Sequence, residues 1–334
     1  MGQLRMNGFV DGHGRIHTDL RVSLTDRCSL RCTYCMPAQG LPWLPGPDLL
    51  TTAELLRLVA IAVAHGVRNV RLTGGEPLLR PDVVEIVRAV SSLPQRPEVS
   101  LTTNGLRLPG LAASLADAGL RRVNISLDTL NRETFKQLAR RDRLVDTLAG
   151  IMAAQAAGLY PVKINSVLLR GVNDHQAPDL LRWALREGLA LRFIEQMPLD
   201  PQHGWDRTQM VTGEEVRGRL TTAGFRLCAL PGRGSAPAQE YLVNDGPATV
   251  GIVASVTAPF CGACDRMRLT ADGQWRNCLF SQREADLRAP LRAASGDEAI
   301  KRLMANEVAH KSAAHGIDDP GFVQPDRPMS AIGG

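Results

Sequence analysis

Three cysteines in one short segment constrain this chain more than any other feature of its sequence. Cys28, Cys32 and Cys35 are separated by three and by two residues. Thiolates this close together can bind one metal centre without the closure of a long loop. Three thiolates leave one iron of a [4Fe–4S] cube without a protein ligand. The spacing therefore predicts an iron–sulfur cluster with one iron open to another molecule.

Two other interpretations of this cysteine group are weaker. Structural zinc is held by four ligands, usually in paired C-x2-C segments, whereas the next cysteine in this chain is Cys228. A chance group of structural cysteines is weaker still in a chain that resembles an intracellular protein in composition.

Length and composition limit the class of protein. A chain of 334 residues favours one large α/β unit with a smaller addition. The sequence has no run of eighteen apolar residues and no apolar signal-peptide segment near its N-terminus, so we expect a cytoplasmic protein without membrane contact. Seven cysteines, an odd number, do not suit a secreted disulfide framework.

The charge pattern is mildly basic. The net charge of +5 suits an anionic ligand but does not require one. Only 4% of the residues are aromatic and no basic block is present, so we expect no nucleic-acid partner.

Strand and helix patterns alternate along the first two thirds of the chain. Strands are predicted at residues 20–24, 70–73, 98–102, 122–127, 161–168 and 191–195. Helices are predicted at residues 52–64, 81–91, 109–118, 145–157, 176–187 and 213–223. Six such units predict a parallel α/β sheet. Periodicity alone does not separate a doubly wound sheet from an incomplete (βα)6 barrel.

The last third has a different pattern. Residues 231–237 are rich in Pro and Gly and are predicted to link a domain of residues 1–230 to a smaller domain of residues 231–334. There we expect short strands, a helix near 298–310 and an extended tail from residue 318. Cys228, which stands alone, is expected to be a small buried hydrophobic residue.

Polar residues follow several predicted strands, where parallel α/β proteins place functional groups. The glycine pair would let the backbone approach a ligand closely. Taken alone, each segment is explained as well by an ordinary turn or helix cap. The segments are Thr73-Gly74-Gly75-Glu76-Pro77, Thr102-Thr103-Asn104-Gly105 and Ser126-Leu127-Asp128.

A second cysteine group, Cys261, Cys264 and Cys278, again offers three thiols. It suits either a zinc ribbon with His or Cys228 as fourth ligand, or a second cluster with an open iron. Arg266 and Arg268 would face one side of a strand. Two such guanidiniums can bind a polyphosphate, although a solvated strand face would be preferred without the flanking cysteines.

Taken together, these segments resemble the motifs of the GTP 3′,8-cyclase (molybdenum cofactor biosynthesis protein A) family, within the radical S-adenosylmethionine (SAM) superfamily. The resemblance selects the incomplete (βα)6 radical SAM barrel, with a smaller C-terminal α+β domain that carries a second Fe–S cluster. The matching residues are Arg21, Cys28, Cys32, Cys35, residues 71–77, 102–105, 124–128, 162–165, 192–197, 261–268 and 278–280, and Gly333-Gly334.

The resemblance implies a chemistry. One [4Fe–4S] cluster, on Cys28, Cys32 and Cys35, would reduce SAM to methionine and a 5′-deoxyadenosyl radical. That radical would take the 3′ hydrogen of GTP, the resulting C3′ radical would add to guanine C8, and one further electron and a proton would complete the product. A second cluster, on Cys261, Cys264 and Cys278, would hold the guanine. The product would be (8S)-3′,8-cyclo-7,8-dihydroguanosine 5′-triphosphate, a precursor of molybdopterin.

The resemblance also implies site residues. The catalytic set would be the first three cysteines with Arg266 and Arg268. The SAM contacts would be Tyr34, Gly75, Ser126 and Met197. The GTP contacts would be Arg21, Arg71, Thr102, Lys163, Arg266, Met267 and Arg268. The end of the chain, Gly333-Gly334, would enter the active site.

Partners follow from the same resemblance. They are an electron donor such as flavodoxin or ferredoxin, and a cyclic pyranopterin monophosphate synthase that uses the product. The chain would be a monomer or a homodimer. Two other classes stay open: a radical SAM enzyme that modifies a peptide and carries an auxiliary cluster, and a non-enzymatic iron–sulfur or zinc protein.

Overall fold

A computed structural model describes residues 8–333, and within these residues the chain forms fourteen strands and ten α-helices. The strands are β1 (Phe9–Val10), β2 (Ile16–His17), β3 (Asp19–Ser23), β4 (Asn69–Thr73), β5 (Glu98–Thr103), β6 (Arg122–Ser126), β7 (Val162–Val167), β8 (Ala190–Ile194), β9 (Leu227–Ala229), β10 (Gln239–Val243), β11 (Thr249–Val253), β12 (Arg266–Leu269), β13 (Gln274–Arg276) and β14 (Ala285–Asp286). The helices are α1 (Thr52–Ala64), α2 (Val83–Ser91), α3 (Leu108–Asp117), α4 (Arg132–Ala139), α5 (Leu144–Ala156), α6 (Ala177–Arg186), α7 (Gly213–Thr222), α8 (Arg288–Arg292), α9 (Asp297–Ala309) and α10 (Met329–Ile332).

One sheet contains twelve of the strands found in residues 8–333. Its order is β14-β13-β12-β3-β4-β5-β6-β7-β8-β11-β10-β9. Strands β3 to β8 are parallel neighbours in chain order. A doubly wound sheet would reverse its order at a switch point. The sequential order therefore confirms the incomplete (βα)6 barrel.

Strands from the last third of the chain extend both sides of these six. β12 pairs in parallel with β3, and β11 pairs in parallel with β8. β13 and β14 continue one side and β10 and β9 the other, all antiparallel. The domain boundary at residues 230 and 231 stays a prediction, and β9 and β10, on either side of it, pair with each other.

Alternation along the strands separates the core from the barrel interior. On β3, Leu20 and Val22 are fully buried in the hydrophobic core, while Arg21 between them lines a cavity. β4 repeats this pattern around Arg71. Successive side chains of a strand point to opposite faces, so one face packs on the helices and the other carries the polar groups of the site.

The predicted helices of the barrel are confirmed with small shifts of their ends. Thr51 and Glu54 form a capping box at the start of α1. Helix α4 was not predicted, because it is short and charged and only Phe135, Leu138 and Ala139 are buried on it. Among residues 8–333, no helix has the length and apolar content needed to cross a membrane.

Two expectations are wrong. Cys228 is exposed rather than buried, because β9 is the last strand at one edge of the sheet. The tail is not extended throughout, since Met329 to Ile332 form the short helix α10 with Ser330 and Ile332 buried. The apolar side chain of Ile332 packs in a small cluster with Leu199 and Val256, which gives the tail a fixed place.

Candidate active site

A cavity of about 300 Å³ lies inside the barrel and at the carboxyl ends of its strands. Both the first cysteine group and many of the predicted ligand contacts line it. The predicted residues found in its lining are Arg21, Cys28, Cys32, Tyr34, Cys35, Arg71, Gly75, Thr102, Ser126, Met197, Arg266 and Arg268. The barrel thus brings together twelve residues that are far apart in sequence.

A second cavity of about 70 Å³ adjoins the first. Its lining includes all three cysteines of the second group. The residues that line both cavities are Met197, Ser255, Phe260, Arg266, Arg268 and Leu279. The two cysteine groups therefore face one composite space, and Arg266 and Arg268 lie between them.

Main-chain hydrogen bonds fix the first cysteine loop against helix α4. The Arg31 amide donates to the carbonyl of Ala139 at 3.0 Å, and the Thr33 amide donates to the carbonyl of Leu138 at 2.9 Å. The unpredicted helix is thus the support of this loop. Short range sequence patterns do not reveal such a contact.

The glycine pair after β4 has a packing role. A Cβ at Gly74 would lie 2.4 Å from the Thr25 carbonyl oxygen, and one at Gly75 would lie 2.4 Å from that of Arg27. These distances are far below van der Waals contact, so only glycine fits. The pair lets the turn lie directly under the first cysteine loop. A contact between Gly75 and SAM stays a prediction.

Glu76 ties the ends of two strands together. Its buried carboxylate accepts hydrogen bonds from Thr103 Oγ1 and the Asn104 amide, both at 2.7 Å, and from the Leu78 amide at 3.0 Å. Burial raises the pKa of Glu76, and these donors oppose the shift. Its role is structural, as expected for a satisfied buried carboxylate.

Tyr34 and Asp128 form a pair in the cavity wall. The Tyr34 hydroxyl donates to Asp128 Oδ2 at 2.7 Å, and the Val167 amide donates to Oδ1 at 2.9 Å. Burial raises the pKa of Asp128 to about 6. Asp128 belongs to one of the polar segments that follow predicted strands, but it is not among the predicted site residues.

Three arginines stand side by side across three parallel strands. Arg268 on β12 is in register with Arg21 on β3, and Arg21 is in register with Arg71 on β4. Burial lowers the pKa of Arg21 well below its usual value, and the charges of Arg268 and Arg71 lower it further. Burial also lowers the pKa of Arg71 and of Arg268 to about 10. We call these three residues the arginine row.

Several polar atoms of the cavity wall have no hydrogen-bond partner within residues 8–333. The nearest carboxylate oxygen to Arg21 Nε is Asp19 Oδ1, at 3.9 Å. Buried polar groups are normally satisfied, so these atoms indicate a polar ligand. They are Arg21 Nε, Asn165 Oδ1, Arg192 Nε, Arg266 Nε and Ser330 Oγ.

Arg192 and Asn165 are site residues that the sequence prediction missed. Both line the larger cavity. Asn165 lies two residues after Lys163 on β7, and Arg192 lies on β8 in register with Asn165. The period of two along each strand would have identified them, once the inward face of the strand was known.

Two predicted GTP contacts do not line either cavity. Met267 is fully buried in the hydrophobic core, because it points away from its neighbours Arg266 and Arg268. Lys163 lies deeper in the barrel, where burial and the charges of Arg192 and Arg122 lower its pKa to about 8. Their roles in ligand binding stay predictions.

The tail of the chain enters the site. Met329 and Ser330 line the larger cavity, and the Arg268 guanidinium donates a hydrogen bond to the Gly333 carbonyl. Gly333 has φ +87°, and a Cβ there would lie 2.4 Å from Thr73 Oγ1. The structure thus places Gly333 beside the arginine row. Gly334, the second half of the predicted Gly-Gly end, lies outside the described residues.

Each of the two cysteine groups lies in the wall of a cavity. Among residues 8–333, no three His, Cys, Asp or Glu side chains are gathered so that they could hold one metal ion. Burial raises the pKa of Cys32 and brings that of Cys35 to about 12, so a bound cationic centre would be needed to keep these thiols ionised.

Comparison with known proteins agrees with this site. The model of the Radical SAM superfamily matches residues 22–184, and that of Molybdenum Cofactor Synthesis C matches residues 189–317. The chain is 60% identical over 329 residues to a GTP 3′,8-cyclase of Streptomyces coelicolor, covering 98% of this chain and 96% of the relative. It is 55% identical over 332 residues to a GTP 3′,8-cyclase of Mycobacterium marinum, covering 98% and 92%.

Solved structures support the fold. Streptococcus suis SuiB bound to S-adenosylmethionine superposes with a TM-score of 0.60 at 13% identity, covering 92% of this chain and 69% of SuiB. Membership of the radical SAM superfamily implies one [4Fe–4S] cluster and SAM. With three cysteines at the mouth of a six-stranded barrel and close relatives along nearly its whole length, the chain belongs to the GTP 3′,8-cyclase family.

Proposed function

We propose that this chain converts GTP to (8S)-3′,8-cyclo-7,8-dihydroguanosine 5′-triphosphate, a step of molybdenum cofactor biosynthesis. The observation that carries the proposal is the arginine row, which borders the space between two groups of three thiols. The family of the chain supports the same reaction.

The charge of the cavity suits a triphosphate. Its lining contains the three arginines of the row together with Arg192 and Arg266. Within the described part of the chain, Asp128 is the one carboxylate in that lining. Buried cations without partners are costly, and bidentate contacts to phosphate oxygens would satisfy their free N–H groups.

The first cysteine group would hold the cluster that serves SAM. When bound there, the cluster would supply the electron needed for reductive cleavage of SAM. Tyr34, Gly75, Ser126 and Met197 lie around the same cavity and are the proposed SAM contacts. Asp128 orients the Tyr34 hydroxyl, so that the aromatic ring keeps one position beside the cysteine loop.

We assign a second [4Fe–4S] cluster to Cys261, Cys264 and Cys278, where it would bind guanine at its open iron. Arg266 and Arg268 line both cavities. They would bind phosphate while the base faces the second cysteine group. Arg266 is held in place by its donation to the Ser235 carbonyl at 2.7 Å and by Phe260, whose ring centroid lies 4.5 Å from its guanidinium carbon.

The site also needs protection from water. Arg268 holds the tail at Gly333, and Met329 and Ser330 form part of the wall. Exclusion of water strengthens the electrostatic contacts to the substrate and protects reactive intermediates. Thr102 and Lys163 complete the proposed GTP set, together with Met267, which could contribute only backbone atoms.

The decisive experiment is product analysis under anaerobic conditions. Protein reconstituted with iron and sulfide should contain about eight irons per chain, four for each cluster. With SAM, dithionite and GTP it should form the cyclised nucleotide, identified by mass spectrometry, and 5′-deoxyadenosine formation should depend on GTP. Arg71→Gln should reduce product, whereas the exposed control Arg88→Gln should not. GTP-independent SAM cleavage with no cyclised nucleotide would contradict the proposal.

Partners belong to the same proposal. A flavodoxin or ferredoxin would supply electrons in the cell, and a cyclic pyranopterin monophosphate synthase would take the product. The two alternatives are less well supported. A peptide-modifying enzyme has no need of five arginines in its substrate cavity, and a non-enzymatic protein has no need of any.

A further inference from the structure

Lys311 is a buried cation that the proposed reaction does not use. It follows the end of helix α9 and is only 4% exposed. Its Nζ lies 3.4 Å from Cys264 Sγ and donates to the Arg266 carbonyl at 2.7 Å. A buried lysine is rare unless it has a partner, and here the partners are a thiol and the backbone of the same loop.

The surroundings of the first cysteine group are different. Its side-chain donor within residues 8–333 is neutral, with Asn104 Nδ2 3.9 Å from Cys28 Sγ. Arg31 is close, but its guanidinium donates to the carbonyls of Cys28 and Leu30 rather than to sulfur. Among residues 8–333, a charged side chain that donates a hydrogen bond to a thiol sulfur is therefore a feature of the second group.

We propose that Lys311 is a positioning residue for the second cluster, which donates a charged hydrogen bond to the Cys264 sulfur and raises the reduction potential of that cluster. The inference rests on the second cluster assigned above. Hydrogen bonds to the sulfurs, net charge and solvent exposure set the potential of an iron–sulfur cluster. A fixed cation at the sulfur favours the reduced form, which carries one more negative charge.

The loop that carries Cys264 has a separate mechanical support. Arg15 donates to the Cys261 carbonyl at 2.5 Å and to the Ser312 carbonyl at 2.6 Å. Its Nε donates to Asp11 at 2.6 Å, so the guanidinium joins the N-terminal hairpin to both segments. Arg15 holds the loop in place through its carbonyl groups. The contact from Lys311 to the Cys264 sulfur is therefore not needed to hold the loop, and its effect would be on the reduction potential of the cluster.

The test uses the full chain with Cys28, Cys32 and Cys35 all changed to Ala, so that iron signals come from the second group alone. Iron and sulfide are measured after anaerobic reconstitution. The reduction midpoint is then measured by potentiometric titration followed by electron paramagnetic resonance. Both readouts are independent of GTP turnover.

In this background, Lys311→Met should lower the ratio of reduced to oxidised cluster about tenfold at the wild-type midpoint, which is a shift of 59 mV to more negative potential for a one-electron couple. Lys311→Arg should keep the midpoint close to the wild-type value, because it retains the positive charge and a hydrogen-bond donor. Lys301→Met is the matched control. It removes the same charge from α9, where Lys301 pairs with Glu298 at the surface, and should leave the midpoint unchanged.

Each outcome decides the inference. If Lys311→Met assembles no cluster while Lys311→Arg assembles one, the charged contact to Cys264 is supported as a requirement for holding the site. If the Met variant binds iron and keeps the wild-type midpoint, or shifts no more than Lys301→Met, the inference is wrong while the second cluster stands. If the wild-type second group binds no iron, the cluster assignment and this inference both fail.

Discussion

The two cysteine groups border the same space, but Cys32 of the first group and Cys264 of the second lie in opposite electrostatic surroundings. At the first group, burial and then the negative charge of Asp128 raise the pKa of Cys32. At the second, Lys311 and Arg266 outweigh the effect of burial and lower the pKa of Cys264. Cysteine spacing determines which centre can bind, whereas the surrounding charges determine what that centre does.

Both cysteine loops are held by segments distant in sequence. The first is held by main-chain hydrogen bonds to helix α4 and by Arg140, which donates to the Met36 carbonyl at 2.8 Å. The second is held by the Thr18 amide, which donates to the Asp265 carbonyl, and by Arg15, which donates to the Cys261 carbonyl. The second cysteine loop thus depends on residues from both ends of the described chain.

The largest expected effect is the complete loss of one activity when a cysteine of either group is removed. Cys32→Ala should abolish SAM cleavage, because it removes a ligand of the first cluster, while the second group keeps its iron. Cys264→Ala is the matched variant and should lose cyclisation but retain a first cluster that binds SAM. Iron content and 5′-deoxyadenosine formation measure both. SAM cleavage at the wild-type rate by the Cys32 variant would show that the first cysteine group does not hold the cluster that cleaves SAM.

The next largest effect is a loss of GTP affinity when Arg268, which lines both cavities, is changed. Arg268→Gln should weaken GTP binding by roughly 1.5–3 kcal/mol, the usual contribution of hydrogen bonds to charged groups. SAM binding should change little. Calorimetry with each ligand measures the difference, with Arg217→Gln on the exposed face of α7 as control. Equal losses for GTP and SAM would point to misfolding instead.

A pH effect is expected at Asp128, beside the first group. The pKa of Asp128 is about 6 in the folded chain, above the usual value of 3.8, so the folded state holds its proton to higher pH than the unfolded state. Stability from this group is therefore present at low pH and is lost as the pH rises from about 4 to about 6.

Asp128→Asn should remove that dependence. In cluster-free protein, the free energy of unfolding of the variant relative to wild type should rise by about 2 kcal/mol from pH 4.5 to pH 7, and then stay level. Denaturant titrations at several pH values measure it. A difference that does not vary with pH would show that Asp128 is not the group described.

A smaller effect is expected at the tail. Gly333→Ala would place a Cβ 2.4 Å from Thr73 Oγ1 at a φ that disfavours side chains. Cyclisation should fall about tenfold, a loss of roughly 1.4 kcal/mol in transition-state stabilisation, while iron content and SAM binding persist. Gly321→Ala is the control, because a Cβ there meets open space. A normal rate in the Gly333 variant would exclude the tail from the site.

The smallest effect tests the cysteine outside both groups. Cys228→Ser should leave iron content and activity unchanged, since the side chain is exposed at the sheet edge and lines neither cavity. Loss of about half the iron would make it a ligand and close the open position of one cluster.

Local patterns predicted much of the fold but little of its geometry. The strands that became β3 to β8 are visible in the sequence because alternation and strand-end glycines depend on neighbouring residues. The pairing of β12 with β3 is not visible, because it joins residues about 250 positions apart and periodicity carries no information on partners. The arginine row depends on this register and could not be derived from spacing.

The residues of the candidate site also fall into those that local sequence patterns reveal and those that depend on long-range contacts. Cys28, Cys32, Cys35 and the strand-end polar residues could be identified, since their spacing is local. Arg192 and Asn165 were missed because the inward face of β7 and β8 was unknown. Met267 was included with its neighbours, although alternation on β12 directs it into the core. Lys311 gives no sequence signal, because its partner lies 47 residues away.

The position of β12 has a consequence for folding. Strand β3 is near the beginning of the chain, yet one of its two neighbours is made about 250 residues later. Until that part of the chain is synthesised and docked, β3 and β8 are both open edges of a parallel sheet. Open edges template association with other chains, and such distant pairings form slowly. Residues 1–230 expressed alone should therefore aggregate, and the chain should fold as one cooperative body.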